Sequence, residues 1–100
     1  MLENVFNIGM FDKNLKKQVI SNDDFIKIIA NTVGDCTVKQ GAVGVYTHAD
    51  GSKIVEPSLE VVNYGLTKKQ AKTVAKTLCK LLNQESIYLS SRVSKSELIN

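Results

Sequence analysis

Val43-Gly44-Val45-Tyr46-Thr47-His48-Ala49-Asp50-Gly51-Ser52-Lys53-Ile54-Val55-Glu56-Pro57-Ser58-Leu59-Glu60-Val61 is the stretch that decides the architecture. Two arms rich in β-branched and aromatic residues flank Asp50-Gly51, a dipeptide that readily supplies the positive φ angles of a tight turn, so the segment reads as a β-hairpin. Worked outward, the first arm begins at Cys36 and ends at His48, with bends expected at Gly41 or Gly44; the second runs from Lys53 to Tyr64. Pro57 has no N–H to give to a ladder, which predicts an edge position or a bulge there.

On the N-terminal side, Phe6, Ile8 and Met10 fall on one face at period two within residues 4–11, a strand whose other face carries Asn7, Gly9 and Phe11. A polar, lysine-rich connection leads to Asn22 or Asp23 as helix cap, and Phe25, Ile28, Ile29 and Val33 are spaced as one buried stripe ending at Gly34. Beyond the hairpin, Thr67-Lys68-Lys69-Gln70 has the form of a capping box. It opens a second helix with Ala71, Val74, Ala75, Leu78, Leu81 and Leu82 inward and lysines outward. Ile87, Leu89 and Val93 mark a last strand. The order β-α-β-β-α-β predicts an α+β, ferredoxin-like fold: a four-stranded antiparallel sheet with two helices on one face. It forms a single domain over residues 1–93, followed by a polar tail over 94–100.

Composition narrows the function. The chain has 100 residues, 43% of them hydrophobic, which is ordinary for one globular domain. No run approaches the roughly 18 apolar residues that span a bilayer, and the N-terminus lacks a signal-peptide pattern, so a cytoplasmic protein with no membrane partner is expected. Cys36 and Cys79 form no Cys-x-x-Cys unit, and with one histidine in the chain no metal site and no cofactor is expected. Net charge is +3, with the cations clustered at Lys68, Lys69, Lys72, Lys76 and Lys80. Nucleic-acid recognition on such a sheet relies on exposed aromatics in paired motifs, and scattered Tyr46, Tyr64 and Tyr88 do not supply them.

The sheet face without helices must be solvated, packed on another subunit or used for a ligand; its mixed aromatic and aliphatic character predicts a homo-oligomer through that face. Which set of hairpin residues joins it, Tyr46/His48 or Val45/Thr47, depends on register. His48, the only histidine, has the chemistry of a general acid or base. Glu56 and Glu60 sit about 13 Å apart if their strand is regular, too far for a working pair unless Pro57 shortens the span. Asn83-Gln84-Glu85-Ser86 is placed to tie down helix carbonyls or to point into a pocket at the start of the last strand. These residues support a non-catalytic binding protein for a small anionic ligand or a host protein, with Lys39, Tyr46, His48 and Arg92 as the ligand set near an intersubunit cleft. The alternatives are a small dimeric enzyme using His48 or Glu56 for proton transfer, or a weak nucleic-acid binder through the lysines of the second helix.

Asn7-Ile8-Gly9, Gly44-Val45-Tyr46, Asp50-Gly51, Glu56-Pro57-Ser58 and Gln84-Glu85-Ser86 occur in this order from Asn7 to Leu89. The pattern resembles small uncharacterised bacterial and bacteriophage proteins of ferredoxin-like fold. The resemblance implies that fold and a phage or mobile-element accessory protein. A counter-defence role, sequestering a signalling nucleotide or blocking a host enzyme, follows by analogy.

Overall fold

Period-two alternation is realised in β1 (Leu2–Gly9), whose Phe6 and Ile8 are completely buried beneath the helices. The computed structural model describes all 100 residues. It adds α1 (Asn22–Val33), β2 (Thr37–Thr47), β3 (Lys53–Tyr64), α2 (Lys68–Leu81) and β4 (Tyr88–Val93). The strands form one sheet in the order β2-β3-β1-β4, every neighbouring pair antiparallel. This is the ferredoxin-like arrangement that the sequence predicts. Phe25, Ile29 and Val33 of α1, with Ala71 and Leu78 of α2 and Leu82 just beyond it, close over Phe6, Ile8, Met10, Leu59 and Val61.

Local chemistry sets the boundaries. The α1 cap is Ser21, one residue before the expected Asn22: its extended backbone lets Oγ accept from Asp24 N at 3.2 Å, leaving Asp23 and Asp24 in the first turn to face the helix dipole. The capping box of α2 forms as expected, Thr67 Oγ1 accepting from Gln70 N and Thr67 N donating to Gln70 Oε1. Leu81, expected in the core stripe, is 54% exposed because Leu78 and Leu82 fill the inward positions of the last turn. Val93, at the end of edge strand β4, is likewise open. The lysines of α2 form a solvated outer face.

The hairpin departs from the simplest reading in three ways. His48 N donates to Ser52 O and Gly51 N to His48 O, with Gly51 at φ 85°, so the turn is a type I turn followed by a left-handed glycine, not a two-residue turn. β3 is an interior strand, but β1 stops opposite Ser58, and Pro57 falls where the hairpin has outrun it. Pro57 O still accepts from Met10 N just past the end of β1, and the proline, lacking an N–H, gives no bond in return, so the ladder ends there. The bulge lies on β2 instead, between Lys39 and Ala42, where Gly41 has φ 85°. The arm that overhangs β1 leaves Val43, Val45 and Val55 exposed on its helix side.

At the opposite end of the sheet, a polar network is built into the core. Fully buried Asn4 donates to Asn63 Oδ1 and to Leu66 O and accepts from Ser91 Oγ, while Asn63 Nδ2 donates to Asp35 O. It locks β1, β3 and β4 to the segments that leave α1 and enter α2. Cys36 and Cys79 are unpaired and half-buried, and burial pushes both thiols up. No helix is long and apolar enough to cross a membrane.

Candidate functional site

Because the hairpin outruns β1, the helix-free side of the sheet carries a recess where β1 ends. Gly44 pairs with Glu56 and Tyr46 with Ile54, so strand alternation puts Gly44, Tyr46, Glu56 and Ser58 on the same side as Gly9. Phe11 and Lys13 follow from the loop after β1, and Glu85 and Tyr88 from the approach to β4. Together they enclose about 290 Å³, at the small end of the roughly 300–1,000 Å³ of ligand pockets.

Two glycines make the recess possible. A Cβ on Gly9 would stand 1.7 Å from Glu56 Oε1 and 2.8 Å from its Cδ, so the Glu56 carboxylate occupies space that only glycine leaves free. A Cβ on Gly44 would lie 2.2 Å from Tyr46 Cε2 and 2.5 Å from Ser58 Oγ. The Tyr46 ring therefore folds back along its own strand, its hydroxyl 3.3 Å from Ser58 Oγ.

Glu56 is the most unusual group of the site. It is 4% exposed, and its Oε2 is buried with no hydrogen-bond partner. Burial pushes its carboxyl above the ordinary carboxylate range; the Phe11 backbone N–H and the charge of His48 oppose the shift. His48 presents a second orphan. Its Nδ1 lies 3.2 Å from Glu85 Oε2, while Nε2 is buried and unpartnered. Glu85 Oε1 in turn accepts from Ala49 N at 2.9 Å, so one carboxylate holds both the histidine ring and the turn that carries it. Above them, Lys16 Nζ reaches Asp50 Oδ2 at 2.7 Å and ties the loop after β1 to the hairpin tip. That contact, with Ser52, holds the Asp50 carboxyl far below its usual range.

Of the residues singled out in the sequence, Tyr46, His48 and Glu56 meet in this pocket. Lys39 and Arg92 do not join them. They lie on the same sheet face toward its other end, Lys39 3.6 Å from Glu60 and Arg92 Nε 2.8 Å from Glu3 Oε1. Tyr64 also donates to Glu3, so ion pairs run across much of that face. Glu60 is thus engaged by lysine and is no partner for Glu56. Gln84 ties down carbonyls, donating to Phe11 O and Leu82 O, whereas its neighbour Glu85 lines the pocket. Glu85 comes from the segment for which the sequence left a pocket role open beside a structural one, whereas Gly9 and Lys13 line the recess without having been assigned to a site from the sequence. No cluster of three or more His, Cys, Asp or Glu is arranged to hold a metal ion.

No family model and no curated protein sequence matches the chain. Among solved structures, a phage SAM lyase in complex with S-methyl-5′-thioadenosine superposes with a TM-score of 0.74 at 18% identity, covering 91% of this chain and 79% of that one. A phage SAM lyase in the apo state gives 0.68 at 20% identity, covering 91% and 78%. The likeness is one of fold, and it is to small phage proteins, in line with the coarser part of the resemblance drawn from the sequence motifs.

Proposed function

We propose that the recess binds S-adenosylmethionine and cleaves it, with Glu56 as the charge that holds the sulfonium-bearing arm, and that the chain serves a phage-type counter-defence role by withdrawing this small molecule. The observation that carries the proposal is the buried Glu56 carboxylate with a free Oε2. A buried carboxylate oxygen with no hydrogen-bond partner is costly, and a cationic ligand would relieve it. The rest of the lining agrees: Glu85 adds a second acid, Lys13 is the only ammonium, and Phe11, Tyr46 and Tyr88 offer flat surfaces for a purine or a sulfonium. That charge balance favours a cation or zwitterion over the anion expected from Lys39 and Arg92, which are engaged elsewhere by Glu60 and Glu3. The fold shared with a lyase that binds S-methyl-5′-thioadenosine supports the same ligand class.

The chemistry needs little from the protein. When the bond between the sulfonium sulfur and the γ-carbon of the methionyl arm breaks, sulfur keeps the electron pair and leaves as neutral S-methyl-5′-thioadenosine. The four-carbon fragment satisfies its γ-carbon through attack by its own carboxylate, or through loss of a β-proton to a base such as Glu56. Neither route consumes water, so a site that folds the arm and excludes solvent suffices.

The test is incubation with S-adenosylmethionine, chromatography for S-methyl-5′-thioadenosine, and titration calorimetry in parallel. Wild-type protein is expected to release the thioether, and Glu56→Gln to lower the rate by about 10² or more. Binding without release returns the chain to a sequestering protein. No binding of either compound overturns the reading.

A further inference from the structure

We propose that the part of the hairpin beyond Ser58 is a flap, latched shut by Lys16 and Glu85, that swings out to admit a ligand to Glu56. The inference rests on, and deepens, the reading of Glu56 as the charge that holds S-adenosylmethionine.

Glu56 is 4% exposed and its Oε2 is buried, so a molecule in the recess as it stands scarcely meets the carboxylate. His48 Nε2, in the wall of the same recess, is buried as well. Both side chains are carried by the hairpin, so what shuts them in is a contact between the hairpin and the rest of the chain. Three discontinuities coincide at the base of that hairpin. β1 ends opposite Ser58, β2 bulges between Lys39 and Ala42, and β3 carries Pro57, which pairs with Val43. A bulge lets a strand bend, and beyond this line no third strand stiffens the two that remain. Apolar packing does not fix the helix side either, where Val43, Val45 and Val55 are 64–68% exposed.

The tip is tied down by polar contacts to two separate elements. Lys16 Nζ, on the loop after β1, lies 2.7 Å from Asp50 Oδ2. Glu85, on the approach to β4, accepts from Ala49 N at 2.9 Å and stands 3.2 Å from His48 Nδ1. Lys16, Asp50 and Glu85 are 42%, 56% and 37% exposed. Contacts between such exposed charges are individually weak, so together they hold the flap shut without making it part of the core. Swinging about the bulge and Pro57 draws Glu56 out from the end of β1 while the β2–β3 ladder stays intact.

The flap is tested by thiol labelling with a maleimide, which needs no ligand. Cys36 and Cys79 are replaced by serine, and Glu56→Cys supplies the thiol under the flap. Val61→Cys, at a fully buried position in the paired part of β3, reports opening of the whole domain. With the latches intact, the Glu56→Cys thiol should react about tenfold or more slowly than in urea-unfolded protein. Lys16→Met should speed it about two- to fivefold, and raised ionic strength should mimic that change. Glu85→Ala should speed it about tenfold or more, with labelling of Val61→Cys unmoved by either latch variant. Labelling at the unfolded rate before the latches are cut overturns the flap. So does a rate that neither latch variant changes, or one that rises in step with Val61→Cys. If Glu56→Cys does not fold by circular dichroism, His48→Cys takes its place, at a side chain 12% exposed, and Lys16→Met decides. Failure here leaves S-adenosylmethionine binding to be judged by calorimetry, and failure of that binding leaves the labelling result standing.

Discussion

Gly9→Ala is the sharpest perturbation of this site. Gly9 lies in regular strand backbone, so alanine suits its conformation, and in an ordinary strand the change stabilises by about 0.5–1 kcal/mol. Here the added Cβ would stand 1.7 Å from Glu56 Oε1. Ordinary contact begins near ~3.4 Å, and bond-angle strain cannot absorb so large an overlap. Overpacking of this kind costs about 1–3 kcal/mol when neighbours are rigid. The clashing atoms belong to the end of one side chain beside an open recess, so the Glu56 carboxylate can swing away and the cost falls at the lower end. Cost and gain then nearly cancel, and stability alone is a poor readout. A double-mutant cycle is decisive. In a Glu56→Ala background the obstruction is gone, and Gly9→Ala should be neutral or stabilising, giving a coupling of about 1 kcal/mol or more. Urea denaturation of the four proteins measures it. Ligand binding supplies the second readout: Gly9→Ala alone should abolish it, because the displaced carboxylate fills the recess. Equal effects of Gly9→Ala in both backgrounds, or undiminished binding, would refute the assignment of Gly9 as the residue that makes room for Glu56.

Three further outcomes are expected. The folded carboxyl of Glu56 titrates above its unfolded value, near 4.5, so the group favours the folded state below that pH and this contribution is lost as pH rises through the raised value. Glu56→Gln should therefore gain stability relative to wild type on going from acid to neutral pH, and parallel melts of the two proteins across that window would disprove the shift. Asn4→Leu strands Ser91 Oγ and Leu66 O and leaves Asn63 Oδ1 only the Leu66 N–H; a loss of about 2–4 kcal/mol in chemical denaturation is expected, and less than ~0.5 would mean the network contributes little. Thr67→Ala removes half of the α2 capping box and should cost about 1 kcal/mol, a fall of roughly 4–8 °C in Tm; an unchanged Tm would show that packing alone holds the helix start.

The fold was legible because its signals are local. Phe6 and Ile8 alternate within one strand, Phe25, Ile29 and Val33 recur within one helix, and Thr67 and Gln70 sit three residues apart; each pattern declares its element without knowledge of the rest. Pro57 shows where this stops. Its ring forbids a donor, and the ladder to β1 indeed ends beside it, but only because β1 stops opposite Ser58, a fact about another strand.

The site belongs to that second kind of information. Tyr46, His48 and Glu56 share a short hairpin, and once the register is fixed they necessarily share a face; that part the sequence carried, up to a choice between two faces. Lys39 precedes the bulge at Gly41 on the same strand, and Arg92 lies on β4, so neither is tied to the hairpin tip by local periodicity. Charge suggested them, and charge is satisfied where it first meets its opposite, at Glu60 and Glu3. Gly9 and Glu85 are the converse case. Gly9 lacks a side chain and does not look chemical in sequence, and Glu85 sits in a polar helix exit whose pocket role the sequence left open beside a structural one. Yet Gly9 reaches the site through the end of β1 and Glu85 through the start of β4, next to β1 in the sheet. The β2-β3-β1-β4 order thus brings the end of β1 and the start of β4 to the overhanging hairpin, and a glycine there makes room for a buried acid while a glutamate fixes a histidine. The pocket is made by the meeting of three sequence-distant strand ends, and if it is the ligand site proposed above, substitutions at those ends, not along the lysine face of α2, are where specificity should change.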